Sequence, residues 1–276
     1  MKTAFVLGGG GRWGAVEVGM IQALDEAGIE PDLILGTSIG AFNGAIVADY
    51  PGSEGVRRLT GFWEEVTGAD LFQTRMIDRA MRLATMKPSL HETDEVRRLL
   101  EKAIHPDTLI EDLQIPFQCV AASIERSAEH WFDRGPLVDA VLASSAVPAL
   151  FPPVALAGEH YYDGGLVDSV PLGRAVQLGA KVVYVLQVGR LESPLRAPER
   201  LYEAALISFE IARRHRFATT LANLPDDVEV HVLPTGSPVA WDDRSQLRWK
   251  DTGGIEERMT GAYQASIEYL EGVTGD

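Results

Sequence analysis

The sequence predicts an α/β protein, a three-layer α/β/α arrangement with a mainly parallel central sheet, and three observations carry that expectation. A strand, a glycine-containing turn and a helix follow one another twice within the first 48 residues, the pattern of parallel strands joined by right-handed crossovers. Strands resume after a long helical stretch, the clearest being the β-branched run Lys181–Gln187, which reads as a buried strand. The 276 residues, 46% hydrophobic and 24% charged, suit a chain that buries most of its apolar surface in one large domain or two small ones. Wholesale disorder and a minimal peptide module are excluded.

The first strand, Thr3–Leu7, runs directly into glycines 8 to 11. A helix from about Trp13 to Ala27 follows, with Val16, Met20, Ile21 and Leu24 as its apolar stripe and Gly28 as its stop. Asp32–Leu35 reads as a short buried strand, then Gly36-Thr37-Ser38-Ile39-Gly40 leads into a helix over Ala41–Ala48. Residues 53–105 carry no strand signal and read as helices at about 54–66, 74–86 and 94–104, parted by Gly68 and Pro88, a helical cap inserted into the sheet protein. Strands return at Phe117–Ile124 and His130–Phe132. A small-residue helix over Leu137–Ser145 precedes the proline-rich bend VPALFPPV, and a short strand holding Tyr161 and Tyr162 ends at Asp163. Glu229–Leu233 alternates as the last strand, and helices at about 198–222 and 255–271 complete the chain.

Charge and cysteine content narrow the partners. Lys and Arg number 25 against 40 Asp and Glu, a net charge of −15, so the surface repels polyanions and nucleic acid is not an expected partner. The total also disfavours an anionic bilayer unless basic residues are gathered into one patch. With Cys119 alone, no intramolecular disulfide and no cysteine-based zinc site can form, and a reducing, cytoplasmic location is expected. The apolar run near the N-terminus is too short for a secretory signal. Val141–Ala157 is interrupted by serines and prolines and falls short of the roughly 20 residues of a spanning helix.

Gly36-Thr37-Ser38-Ile39-Gly40 lies between a strand and a helix, the context a G-x-S-x-G nucleophile elbow requires. Gly36 and Gly40 let the backbone fold tightly around an exposed Ser38 hydroxyl. The helix start behind it, beginning with the Ile39 N–H, offers free donors to a developing oxyanion. The bland alternative is a helix-capping serine. Gly9 to Gly14 fits G-x-G-x-x-G after the first strand and suits either a pyrophosphate or an oxyanion. The dinucleotide reading wants an acid at the end of the second strand, whereas Asp32 stands at its start, so the oxyanion is the better use of Gly9, Gly10 and Gly11. A serine nucleophile needs a base. Of the six histidines, only His160 lies near a strand-end loop; His215 belongs to a basic cluster, Arg213-Arg214-His215-Arg216, and His231 alternates within a strand. The other candidate is Asp163, followed by Gly164 and Gly165; by itself Asp-Gly reads more readily as a turn than as a base.

Taken together, GGGGRWG, GTSIGA, ASSAVPALFPPV and YYDGGLVDSVPL resemble the patatin-like phospholipases in order and spacing over about residues 4–190. The resemblance implies a patatin-like catalytic domain over 4–190 with the cap at about 53–105, and residues 191–276 packed upon it. It implies that Ser38 is the nucleophile, Asp163 its base, and Gly9, Gly10, Gly11 and Ile39 the oxyanion donors, with Gly14, Gly36, Gly40, Gly164 and Gly165 as motif glycines. The implied activity is hydrolysis of lipid acyl esters, phospholipid or lysophospholipid, by a Ser-Asp dyad without metal or organic cofactor. Two departures stand out. Trp13 occupies the place where many bacterial relatives carry a basic residue, and Glu17 that where relatives often show His. The rival readings are a nucleotide-binding protein using the glycine loop and a catalytically silent scaffold for lipids or proteins.

Residues 72–88 carry four basic residues and one acidic in a chain that is otherwise negative, with three of its six methionines. Arg75, Arg79 and Arg82 share one helical stripe beside an apolar face. This segment reads either as a packed helix with a solvated basic edge or as a lid making peripheral contact with a lipid surface.

Overall fold

The computed structural model describes residues 1–68, 93–148, 150–188, 191, 194–199, 201–237 and 254–274. The strands are β1 (Thr3–Leu7), β2 (Leu33–Thr37), β3 (Phe117–Ser123), β4 (Ala128–Phe132), β5 (Val154–Leu156), β6 (Glu159–Asp163), β7 (Val182–Leu186) and β8 (Glu229–Val232). They form a single sheet in the order β5-β6-β3-β2-β1-β7-β8, with β4 paired to β3. From β3 to β8 every pairing on this path is parallel, while β4, β5 and β6 run antiparallel at one side. The sheet is therefore mixed, with a parallel centre.

The helices are α1 (Ala15–Glu26), α2 (Ile39–Asp49), α3 (Ser53–Gly68), α4 (Thr93–Ala103), α5 (Leu137–Ser144), α6 (Leu172–Gln177), α7 (Leu201–Ala222) and α8 (Ile255–Thr274). Side chains alternate across the strands and so build two cores. Phe5, Leu7 and Ile34 face one layer, where Met20 of α1, Phe42 of α2, Trp63 of α3, Leu100 of α4, Val141 of α5 and Leu270 of α8 are buried. Ala4, Val6, Leu33 and Leu35 face the other, against Leu172 and Ala175 of α6 and Phe217 of α7. This is the three-layer α/β/α arrangement. The helix expected over 74–86, with Arg75, Arg79 and Arg82, lies outside the described residues. No helix among the described residues is long and apolar enough to cross a membrane.

Two elements differ from the sequence reading. The end of the proline-rich bend is a strand, β5, paired antiparallel with β6. Its hairpin turn places Ala157 at φ 51° and Gly158 at φ 86°. Two successive positive φ values usually announce themselves through Asn-Gly or Asp-Gly, and an Ala in the first place conceals the turn. The one-and-a-half-turn α6 was likewise unmarked, being too short for a periodic signal.

The register around β3 positions everything that follows. Thr37 of β2 pairs with Val120, and Asp163 of β6 pairs with Ala121, the next residue along. Since β4 occupies the opposite edge of β3 over Cys119–Ser123, β2 and β6 share one edge and meet end to end.

On the far side of the site, α1 and α8 touch backbone to backbone. A Cβ added at Gly19 would lie 2.1 Å from the Met259 carbonyl oxygen. Gly19→Ala is expected to lower stability by about 1–3 kcal/mol, read as a shift in the urea midpoint without change in slope.

Candidate active site

β2 ends at Thr37, and Ser38 turns the chain into α2 with φ 56° and ψ −122°. A non-glycine residue in this region carries strain of about 1–3 kcal/mol and needs surroundings that enforce it. The flanking glycines meet that need sterically. A Cβ at Gly36 would lie 2.4 Å from Ala41 Cα, and one at Gly40 would lie 2.4 Å from the Leu7 carbonyl oxygen. Hydrogen bonds complete the hold. The Ser38 N–H donates to Ser144 Oγ at 2.9 Å, the Ser144 hydroxyl donates to the Val120 carbonyl at 2.7 Å, and Thr37 Oγ1 donates to the Asp168 carbonyl at 2.8 Å.

The Ser38 hydroxyl donates to Asp163 Oδ2 at 2.6 Å, and the Gly165 N–H donates to Asp163 Oδ1 at 2.7 Å. Asp163 is 6% exposed. Burial raises its pKa to about 6, against the opposing effect of these two hydrogen bonds. Gly164 is required by close packing, since a Cβ there would meet the Val120 carbonyl oxygen at 2.1 Å.

The glycine loop crosses the same site. A Cβ at Gly9 would stand 3.6 Å from Ser38 Cβ. The Gly8 N–H donates to the Leu186 carbonyl at 2.9 Å and the Gly9 N–H to the Ser169 carbonyl at 3.0 Å. This corrects one expectation: the Gly9 N–H is spent on the backbone and is not an open donor. Among the described residues the N–H groups of Gly10 and Gly11 make no such backbone bond, and Gly11, at φ 60°, opens the 3-10 turn Gly11–Gly14 that leads into α1. Ile39, at the start of α2, likewise spends no N–H in the bonds that hold the elbow. A Cβ at Gly14 would collide with the Ile39 side chain at 2.4 Å, so loop and elbow are in direct contact. Trp13 is buried, packs with Val188 and lies under the Arg258 guanidinium of α8, 4.0 Å from the ring centroid.

His160, His215 and His231 lie elsewhere. His160 pairs with Glu125 at 2.7 Å on the exposed face of β6, and His231 stacks on Tyr184. His215 is exposed on α7. Among the described residues no histidine bonds to Ser38 or Asp163. Asp32, the acid a dinucleotide site would use, accepts from the Thr3 N–H at 2.7 Å at the opposite end of the strand. Among the described residues no cluster of His, Cys, Asp and Glu could hold a metal ion. A small hollow lined by Val96, Leu142, Ser145, Ala146, Phe151 and Val154 borders the site, where the Asp163 N–H donates to the Ala146 carbonyl at 2.9 Å.

Sequence reading gave no role to Ser144 and no account of Glu17. Glu17 is fully buried, and Asn43 Nδ2 of α2 donates to Glu17 Oε2 at 2.8 Å and to the Gly14 carbonyl at 2.9 Å. Trp63 Nε1 donates to Asn43 Oδ1 at 3.2 Å. Burial raises the Glu17 pKa well above the usual carboxylate range, only partly opposed by hydrogen bonds from Asn43 and the Gly8 backbone, and so favours the neutral acid. A neutral link thus joins the end of the glycine loop to the helix that carries the elbow.

Among the described residues the site thus consists of a strained serine on a strand–turn–helix elbow, hydrogen-bonded to a buried carboxylate beside a glycine loop, with no histidine bonded to either. The chain belongs to the patatin-like phospholipase family, whose model matches residues 5–176. It is 35% identical over 191 residues to lysophospholipase nte1 of Aspergillus terreus, covering 69% of this chain and 12% of that protein. To patatin-like phospholipase domain-containing protein 7 of Mus musculus it is 32% identical over 188 residues, 67% of this chain and 13% of that protein. It therefore spans only about an eighth of the length of these relatives. Among solved structures, VipD from Legionella pneumophila superposes with a TM-score of 0.54 at 15% identity, covering 98% of this chain and 67% of that one, a likeness of fold.

The raised pKa of Glu17 sets a pH-dependent penalty. Above the unfolded-state pKa the unfolded chain releases the proton that the folded chain retains, so stability falls as pH rises; below it both states hold the proton and no difference remains. Glu17→Gln is expected to be more stable relative to the wild type at pH 7.5 than at pH 4. Urea unfolding at the two pH values checks this, and a pH-independent difference would exclude a neutral Glu17.

Proposed function

We propose that the chain hydrolyses acyl esters of lipids, with phospholipids or lysophospholipids as the substrate class, through Ser38 and Asp163. The 2.6 Å hydrogen bond from the Ser38 hydroxyl to a buried carboxylate supports this reading more than any other observation. Asp163 takes the Ser38 proton as Oγ attacks the acyl carbonyl carbon. The oxyanion so formed is met by the N–H groups of Gly10, Gly11 and Ile39. Collapse of the tetrahedral intermediate expels the alcohol, which receives the proton from Asp163 and leaves an acyl-serine. Water then gives its proton to Asp163 as it attacks the acyl-serine, and the second collapse returns the proton to Ser38 and frees the fatty acid. The names of the relatives, lysophospholipase among them, agree with a single-chain lipid as substrate. The engagement of Asp32 with Thr3 and of the Gly9 N–H with Ser169 counts against the nucleotide-binding alternative.

Ser38→Ala and Asp163→Asn are each expected to lower kcat by about 10³-fold or more, while Ala substitutions of His160, His215 or His231 stay within about two-fold. Fluorophosphonate labelling abolished in Ser38→Ala and kept in the three histidine variants would identify the nucleophile; a histidine variant as inactive as Ser38→Ala would overturn the dyad. Because Asp163 must be ionised to accept the proton, kcat/KM is expected to fall as pH drops through about 6, by about tenfold per pH unit below it. The pH–rate profile of a short-chain ester reads this limb, and Glu17→Gln should leave its position unchanged.

A further inference from the structure

The glycine loop is held from a helix beyond the family-matched segment. Arg213 of α7 has a side chain only 4% exposed and lies against Glu210, its Nη2 donating to Glu210 Oε2 at 3.0 Å. Its Nη1 donates to the Gly9 carbonyl at 3.3 Å and to Ser169 Oγ at 3.4 Å. Ser169 in turn supplies the carbonyl that accepts the Gly9 N–H. One guanidinium thus touches both partners of the Gly9–Ser169 bond. Glu210 is shared, since Arg214 Nε lies 3.6 Å from the same oxygen.

The Gly9 carbonyl and the Gly10 N–H belong to one peptide group. A cation donating to the oxygen draws electron density through the amide and strengthens the N–H at its other end as a donor. We propose that Arg213 is a positioning residue that fixes and polarises the Gly9–Gly10 peptide, so that the Gly10 N–H meets the oxyanion as a strengthened donor. The cation that reaches the Gly9 carbonyl thus comes from α7, while the Arg258 guanidinium of α8 lies over the loop residue Trp13. The inference rests on the hydrolase reading and deepens it. A buried guanidinium is costly to keep in place when apolar residues could fill the same volume, and here it contacts a loop carbonyl whose amide partner is a candidate oxyanion donor.

The test uses the full chain and a short-chain p-nitrophenyl ester. Removing Glu210 alone would take the ion-pair partner from the buried Arg213, and removing Arg213 alone would take the 3.0 Å partner from the buried Glu210, so two paired variants are used: Arg213→Met with Glu210→Leu, and Arg213→Gln with Glu210→Gln. Whichever keeps the wild-type circular dichroism and melting temperature is expected to lose about 10- to 100-fold in kcat, with KM within about threefold and fluorophosphonate labelling slowed in step. Arg213→Lys, which keeps a cation, is expected to fall between the wild type and the neutral pairs. A folded paired variant with kcat within twofold of the wild type overturns the role of Arg213, as does unfolding of both pairs together with wild-type kcat in Arg213→Lys. A wild-type chain inert to both ester and fluorophosphonate overturns the hydrolase reading itself, a distinguishable result.

Discussion

The contact between Ser38 and Asp163 exists because β2 and β6 end against each other on one edge of β3, at the consecutive positions Val120 and Ala121. The chain positions that meet there are 125 residues apart, yet the join is made of ordinary sheet pairing. A register slip of one residue in either strand would turn its side chains to the opposite face and separate the two groups. The same place explains the glycines: Gly164 and Gly40 pass within backbone contact of Val120 and Leu7, where a methyl group has no room.

The strain at Ser38 is balanced by a shell that over-determines it. The elbow is gripped from below through Ser144 and Val120, from the side through Thr37 and Asp168, and from the front by the Gly14–Ile39 contact. Asn43 extends this shell to the loop by bonding to Gly14 and Glu17 together. Loop and elbow are therefore parts of one rigid piece, as a site that stabilises a transient charge requires.

The legible part of this protein is its local chemistry. Ser38 between two glycines after a strand announces itself because the turn it sits in constrains neighbouring residues, whereas Asp163 before two glycines reads by itself as a turn and gains its role only from the resemblance carried by the four motifs together. The parallel centre of the sheet was legible for a similar reason, as strand, turn and helix repeat within short stretches. What could not be read is long-range. Ser144 stands 106 residues from the elbow it holds and Arg213 stands 204 from Gly9, and neither has a pattern of its own. Glu17 was visible as an anomaly but unexplained, because its partner Asn43, and Trp63 that bonds to Asn43 in turn, come from other helices. The Gly9 N–H was misassigned since its acceptor, Ser169, is set by tertiary pairing.

β7 lies between β1 and β8, and it begins six residues after the end of the family-matched segment. A fragment ending at residue 176 would keep Ser38, Asp163 and the glycine loop but leave the whole length of β1 unpaired on one side. That edge is flat, apolar and continuous with the loop, the kind that recruits other strands and seeds aggregation. The family-matched segment and the sheet that carries the site therefore have different boundaries, and β1 keeps a partner on both sides only if the strand that follows the family match is included.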